Sequence, residues 1–153
     1  MRKTLFVLCI LSFLSSGNAQ TIINAERIVD GADSTYLAFG FAYNGTRGNA
    51  LTDQLDLSSV FVILKKKNAY KLLGGYALLS EDGEGILRSG FAHIRHNYNL
   101  SNRIQSFEFY QIQFDDVLLI EKRELFGAGL RYNLIKKDSL KIDMELGVMQ
   151  ENE

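Results

Sequence analysis

His93 and His96 are the two histidines of the chain, and the first residues in it that could hold a metal ion. Their spacing argues against a shared ion. Both lie in a run with period-two alternation, and strand residues three apart point to opposite faces, so the two rings cannot close on one metal. Gly127-Ala128-Gly129 has the first part of a dinucleotide-binding turn, but the third glycine position is Tyr132 and no helical pattern follows. Asp30-Gly31-Ala32-Asp33 and Asp82-Gly83-Glu84-Gly85 are acidic turns that could touch calcium, yet neither has the ligand number of a dedicated site, and solvated turns are expected. No Gly-x-Ser-x-Gly elbow occurs. Asn44-Gly45-Thr46 and Asn99-Leu100-Ser101 match glycosylation acceptors, a three-residue pattern that carries no weight. One polar constellation remains: Lys71, His93, Arg95, Arg123 and Arg131 with Asp143 and Glu145. Ion pairs and hydrogen bonds filling a narrow barrel are the first expectation for it. A charged lining that binds or passes small solutes is the second. No catalytic residue, cofactor or metal site is expected, and the chain reads as non-enzymatic.

These side chains need elements to hold them, and the first residues say where those elements fold. Arg2 and Lys3 precede an apolar run from Leu5 to Leu14, and Gly17 and Ala19 place small residues three and one before a cleavage point. That is the pattern of a secretory signal peptide spanning 1–19; the apolar run is about half of the ~20 residues a spanning helix needs. The single cysteine, Cys9, lies inside that segment, so disulfides, thiol nucleophiles and thiolate metal sites are excluded from the mature part. With Arg2 and Lys3 removed, 15 basic residues face 18 acidic ones, a net charge of −3. No acidic or basic block stands out beyond Lys65-Lys66-Lys67, so nothing suggests an electrostatic footprint for nucleic acid.

Residues 20–34 lack periodicity and read as an N-terminal arm. From Thr35 to Glu153 the period is two, over about seven strands of one all-β, antiparallel, up-and-down domain. In the first strand Leu37, Phe39, Phe41 and Tyr43 alternate with Ala38, Gly40, Ala42 and Asn44. In the second, Leu55, Leu57, Phe61 and Ile63 alternate with Gln54, Asp56 and Ser58; in the third, Tyr70, Leu72, Tyr76 and Leu78 with Lys71, Leu73, Gly75 and Ala77. The fourth sets Ala92, Ile94, His96 and Tyr98 against Phe91, His93, Arg95 and Asn97. The sixth sets Phe126, Ala128, Leu130 and Tyr132 against Arg123, Gly127, Gly129 and Arg131, and the seventh sets Leu140 to Val148 against Lys141, Asp143, Glu145 and Gly147. The fifth, Arg103 to Phe114, is ambiguous in phase.

Runs of about nine to thirteen residues exceed the roughly 5–6 of soluble strands and match the ~9–11 that cross a bilayer at a barrel's tilt. Tight turns are expected near Lys66-Asn68, Leu100-Asn102 and Lys136-Asp138, and longer connections over Ser80 to Ile86 and Asp115 to Ile120, the asymmetry of outer-membrane barrels. Small soluble barrels put the apolar face inward, whereas membrane barrels turn it to lipid. The many small residues among the arginines of the polar face favour a crowded lumen, because glycine on a solvated exterior only weakens a strand. An outer-membrane barrel is therefore expected. A secreted, lipocalin-like soluble barrel binding a small apolar ligand is the alternative.

Gly90-Phe91-Ala92-His93-Ile94-Arg95-His96-Asn97-Tyr98 and Leu125-Phe126-Gly127-Ala128-Gly129-Leu130-Arg131-Tyr132 resemble the family of salt-induced outer-membrane proteins, as do Asn24-Ala25-Glu26-Arg27 and the Gly48-Asn49 turn. The resemblance runs from about Asn24 to Met149 and carries no catalytic motif. It implies outer-membrane location, a role in permeability or envelope stress through the family's name, and no assigned activity. Outer-membrane lipid, the barrel-assembly machinery and periplasmic chaperones are the partners to expect, and a small solute could occupy the lumen. Members of that family continue through further strands to an aromatic C-terminus, whereas this sequence closes on Glu151-Asn152-Glu153. Seven strands against an even number in closed bacterial barrels give a further expectation, a barrel incomplete at its C-terminal end.

Overall fold

The computed structural model describes residues 33–48, 51–137 and 140–153. The expected signal peptide (1–19) and all but the last two residues of the expected arm (20–34) lie outside the described residues. Apolar residues at alternate positions over most of the chain, with no proline to remove a ladder hydrogen bond, form seven strands: β1 (Ser34–Arg47), β2 (Leu51–Lys65), β3 (Asn68–Glu81), β4 (Glu84–Asn99), β5 (Ile104–Asp115), β6 (Ile120–Lys137) and β7 (Leu140–Asn152). They pair antiparallel in the order β1-β2-β3-β4-β5-β6-β7. This is the expected meander, with Ser34 already inside β1. Among the described residues β1 pairs with β2 alone and β7 with β6 alone, so the sheet is open.

The connections correct the expected asymmetry. β3 and β4 are joined by only two residues, Asp82 and Gly83, both in the left-handed region (φ 51° and 86°). That is the conformation of a tight, type I′-like hairpin turn, with the Asp82 carboxylate accepting the Leu51 amide at 3.0 Å. The polar stretch Ser80 to Ile86 looked like a loop, yet it is paired strand on both sides of that turn, with one register shift between Leu79 and Ser80. At the opposite end, β4 and β5 are joined by the four residues 100–103, twice the length of the β2–β3 turn at Lys66-Lys67. Short turns and long loops do not segregate to the two ends.

Register sorts the side chains into two faces. Val62, Lys71, Arg95, Phe109, Gly127 and Met149 are paired in one row across β2 to β7, and every second residue on either side shares that face. The faces match the expected alternation in β1 to β4, β6 and β7. In β5 the structure resolves the ambiguity: Phe107, Phe109, Gln111 and Gln113 join the polar face, and Tyr110, Ile112 and Phe114 the apolar one.

Burial is inverted relative to a protein core in water. On the apolar face Phe39 is 77% exposed, Phe41 74%, and Leu146 and Val148 80% each; on the polar face His93 and Gln111 are fully covered and Lys71 and Arg95 nearly so. A single sheet buries one face only by curling over it. Arg95 on β4 accordingly comes within 3.8 Å of Glu145 on β7, three strands away.

The apolar face is also slanted. At one margin its outward positions turn polar at Asp53 on β2 and Ser80 on β3, which share the row of Gly45 on β1. On β7 they turn polar at Gln150, whose row runs through Phe126, Tyr110, Ile94, Leu72 and Phe61 to Leu37. The margin thus moves from Gly45 to Leu37 in β1 terms. At the other margin Lys65 and Asn68 share a row with Leu130 and Leu146, still apolar. Taking roughly 3.4 Å per residue and ~4.8 Å per strand, the band crosses the ladder at about 45°.

Candidate functional site

The polar face divides into a packed half and an open half. The packed half is built around His93. Its ring stacks on Phe109 (centroids 5.5 Å apart, planes 17° apart) and its Nδ1 lies 2.9 Å from Oε1 of Gln111. The Gln111 amide nitrogen is turned to Gln113 at 2.5 Å, so its oxygen is the acceptor and Nδ1 of His93 donates. Arg95 donates from Nε to Asn97 (2.9 Å) and holds its guanidinium 4.4 Å from the Phe107 ring centroid, a cation–π contact. Arg131 donates from Nε to Glu145 at 2.6 Å, and its Nη2 bonds the same oxygen. Lys71, directly opposite Arg95, is buried.

Glycines let these rings lie flat against the sheet. Gly127 sits under Phe109, where a Cβ would fall 2.5 Å from Cε1 of the ring; Gly129 and Gly147 sit under Phe107. The small residues therefore make room for phenylalanines of the neighbouring strand, and for Arg95 stacked on one of them.

Of the seven side chains singled out from the sequence, the structure gathers five on the packed half: Lys71, His93, Arg95, Arg131 and Glu145. Arg123 belongs to a separate pair of contacts at the end of β7, with Glu151 (2.8 Å) and Glu153 (2.9 Å). Asp143 stands apart, exposed and opposite Asn133. His96 lies on the other face, stacked on Tyr70 and hydrogen-bonded to Glu108 and Asn68, so the two histidines are divided as the spacing required. No group of three metal-ligating side chains occurs among the described residues.

Gln111, Glu151 and Glu153 were not singled out. The two glutamates were findable, because the alternation Asp143, Glu145, Gly147 continues through Met149 to both. Gln111 was hidden by the ambiguous phase of β5.

With the geometry in view, the comparison with known families is direct: residues 39–153 match the family described as "Protein of unknown function, DUF481". The chain belongs to that family. No curated protein and no solved structure matches. The DUF481 match covers β2 to β7 entire and β1 from Phe39, hence every charged residue just described.

Gln111 offers a test of how this DUF481 chain holds its buried histidine. Gln111→Leu keeps much of the volume but leaves the Nδ1–H of His93 without its acceptor, which should cost roughly 1–3 kcal/mol. A urea midpoint, followed by far-ultraviolet circular dichroism, should fall accordingly. An unchanged midpoint would show that the pair holds nothing together.

Proposed function

We propose that this chain is an outer-membrane protein whose exposed apolar face lies against lipid and whose polar face is turned to a barrel interior, with no enzymatic chemistry of its own. The inverted burial carries this reading. In a lipocalin-like barrel the apolar side chains would be the covered ones; here aromatic and aliphatic residues are exposed on every strand, while the covered face buries cations and amides beside a small apolar cluster of Phe107, Phe109 and Leu125. The slant of the band supports it independently. A flat bilayer cut across strands tilted by ~35–45° leaves a diagonal apolar band on the ladder, and the observed band runs at about that angle. The leader-like first 19 residues fit export, and the likeness to salt-induced outer-membrane proteins suggests a part in envelope or osmotic stress. Insertion would then proceed through periplasmic chaperones and the barrel-assembly machinery.

Hydrocarbon leaves unpaired backbone groups unsatisfied at several kcal/mol each. Membrane insertion therefore requires partners for the open edges of β1 and β7, from further strands or from a second copy.

Fractionation tests the assignment. Expressed with its leader in a Gram-negative host, the protein should sediment with the outer membrane, resist extraction by alkaline carbonate, and need detergent for release. Recovery as a soluble monomer from the periplasm would sink it.

A further inference from the structure

The open half of the polar face holds a cavity of about 600 Å³. Its floor follows from two rows of the ladder. One runs Gly40, Ser58, Gly75, Phe91, Gln113, and the next runs Ala42, Asp56, Ala77, Ser89, Asp115. Apart from Phe91 and Gln113 these are small or acidic. Large side chains resume one row towards the packed half, at Leu73, His93 and Gln111, so this half of the face is a recess closed on that side by buried side chains.

From this recess we propose a binding site for a small organic cation with a flat apolar body. Asp56 and Asp115 lie on the same row with Ala77 and Ser89 between them, so two carboxylates flank a gap floored by a methyl and a hydroxyl. Each has one oxygen engaged: Oδ2 of Asp56 accepts from Gln54 at 2.9 Å, and Oδ1 of Asp115 accepts the Leu118 amide at 3.0 Å. That leaves one oxygen on each for a ligand, among the bonds of the described residues. No lysine, arginine or histidine lines the cavity; Arg123, which continues the Gly40-to-Gln113 row on β6, is held by Glu151 and Glu153, and Lys71, His93, Arg95 and Arg131 are in the packed half. A partly enclosed recess lined by one sign of charge concentrates ligands of the opposite sign. Phe91, lying over Gly75, adds a ring for a planar body to stack against. The carboxylates sit three strands apart instead of converging, which suits an extended organic cation and not a bare metal ion.

This site stands on the polar face and does not depend on what covers the apolar one, so its failure would leave the membrane assignment to be decided by fractionation. The test uses the full chain in neutral maltoside detergent, with proflavine as the cationic probe and acridine-9-carboxylate as an anion of similar shape, followed by fluorescence anisotropy. Proflavine should bind saturably and the anion should not. Asp56→Asn and Asp115→Asn should each weaken binding by about tenfold, and the double variant should abolish it. Ala77→Phe should fill the recess and block the probe, while Asp143→Asn, the same change of charge outside the cavity, should leave binding intact. Circular dichroism confirms that each variant is folded; the aspartate variants keep the test decisive if Ala77→Phe is not. Absence of saturable proflavine binding, equal binding of the anion, or wild-type affinity in the double aspartate variant would each overturn the proposal.

Discussion

Leu146→Arg is expected to remove most of the protein from the outer-membrane fraction. Leu146 is 80% exposed and sits mid-way along β7, flanked on its face by Met144 and Val148 and paired with Leu130. If that face meets lipid, a guanidinium there costs on the order of 2–4 kcal/mol near the midplane and less towards the margins. The depth dependence is part of the expectation. Phe41→Arg on β1 should do comparable harm, Leu140→Arg nearer the end of β7 should do less, and Asp143→Asn on the opposite face should do little. In water the ranking disappears, because substitution of a side chain this exposed lies within about 0.5 kcal/mol of neutral. Immunoblots of fractionated membranes, scored against total expression, read the difference. Equal membrane levels for Leu146→Arg and Asp143→Asn would mean that the apolar face is not embedded.

The fold was legible where binary pattern and packing agree. β7 is the clearest case: Leu140 to Val148 alternate with Lys141 to Gly147 without a break, and the structure keeps that phase. β5 breaks the pattern in both directions. Phe107 and Phe109 lie on the polar face because glycines on β6 and β7 leave space for their rings, and Glu108 lies on the apolar face because His96 across the ladder bonds it at 2.6 Å. Neither reason is visible within β5 itself. The β3–β4 connection misled for a different cause. Ser80, Glu81 and Glu84 are polar enough to suggest a loop, but the turn chemistry sat in Asp82-Gly83, a pair suited to φ above zero at both central positions.

The site was legible as a face and illegible as a place. Alternation assigned Lys71, His93, Arg95, Arg131 and Glu145 to one side of the sheet, but which of them meet depends on the register of seven strands together. Arg95 finds Glu145 only because β4 and β7 are brought near each other by curling. Asp115 falls in the connection expected over Asp115 to Ile120, so nothing in the sequence aligns it with Asp56. The division into packed and open halves follows from where the large residues fall in each row, a property of the ladder that no single strand displays.

Gly129→Ala should be the most damaging glycine-to-alanine change among the described residues. Ordinarily Ala in a strand would gain about 0.5–1 kcal/mol over Gly by restricting the unfolded chain. Here a Cβ would collide with the Leu146 carbonyl oxygen, fall 2.7 Å from the Gly147 Cα, and fall 2.7 Å from Cζ of Phe107. Two of these three are backbone of β7, directly paired with Gly129, so relief requires the β6–β7 ladder to part. Overpacking of this kind costs roughly 1–3 kcal/mol, and hydrogen exchange should show it as lost protection of β7 amides together with a lower urea midpoint. Gly127→Ala is the comparison. The three atoms nearest its new methyl all belong to the Phe109 ring, the closest two at 2.5 and 2.6 Å, and a ring can turn or be replaced. Phe109→Leu should therefore rescue Gly127→Ala, whereas Phe107→Leu should fail to rescue Gly129→Ala, because the backbone clash remains. At Gly48, where a Cβ would meet nothing within 4 Å, alanine should be silent. Full rescue of Gly129→Ala by Phe107→Leu would show that ring packing, and not the spacing of β6 and β7, sets the need for glycine there.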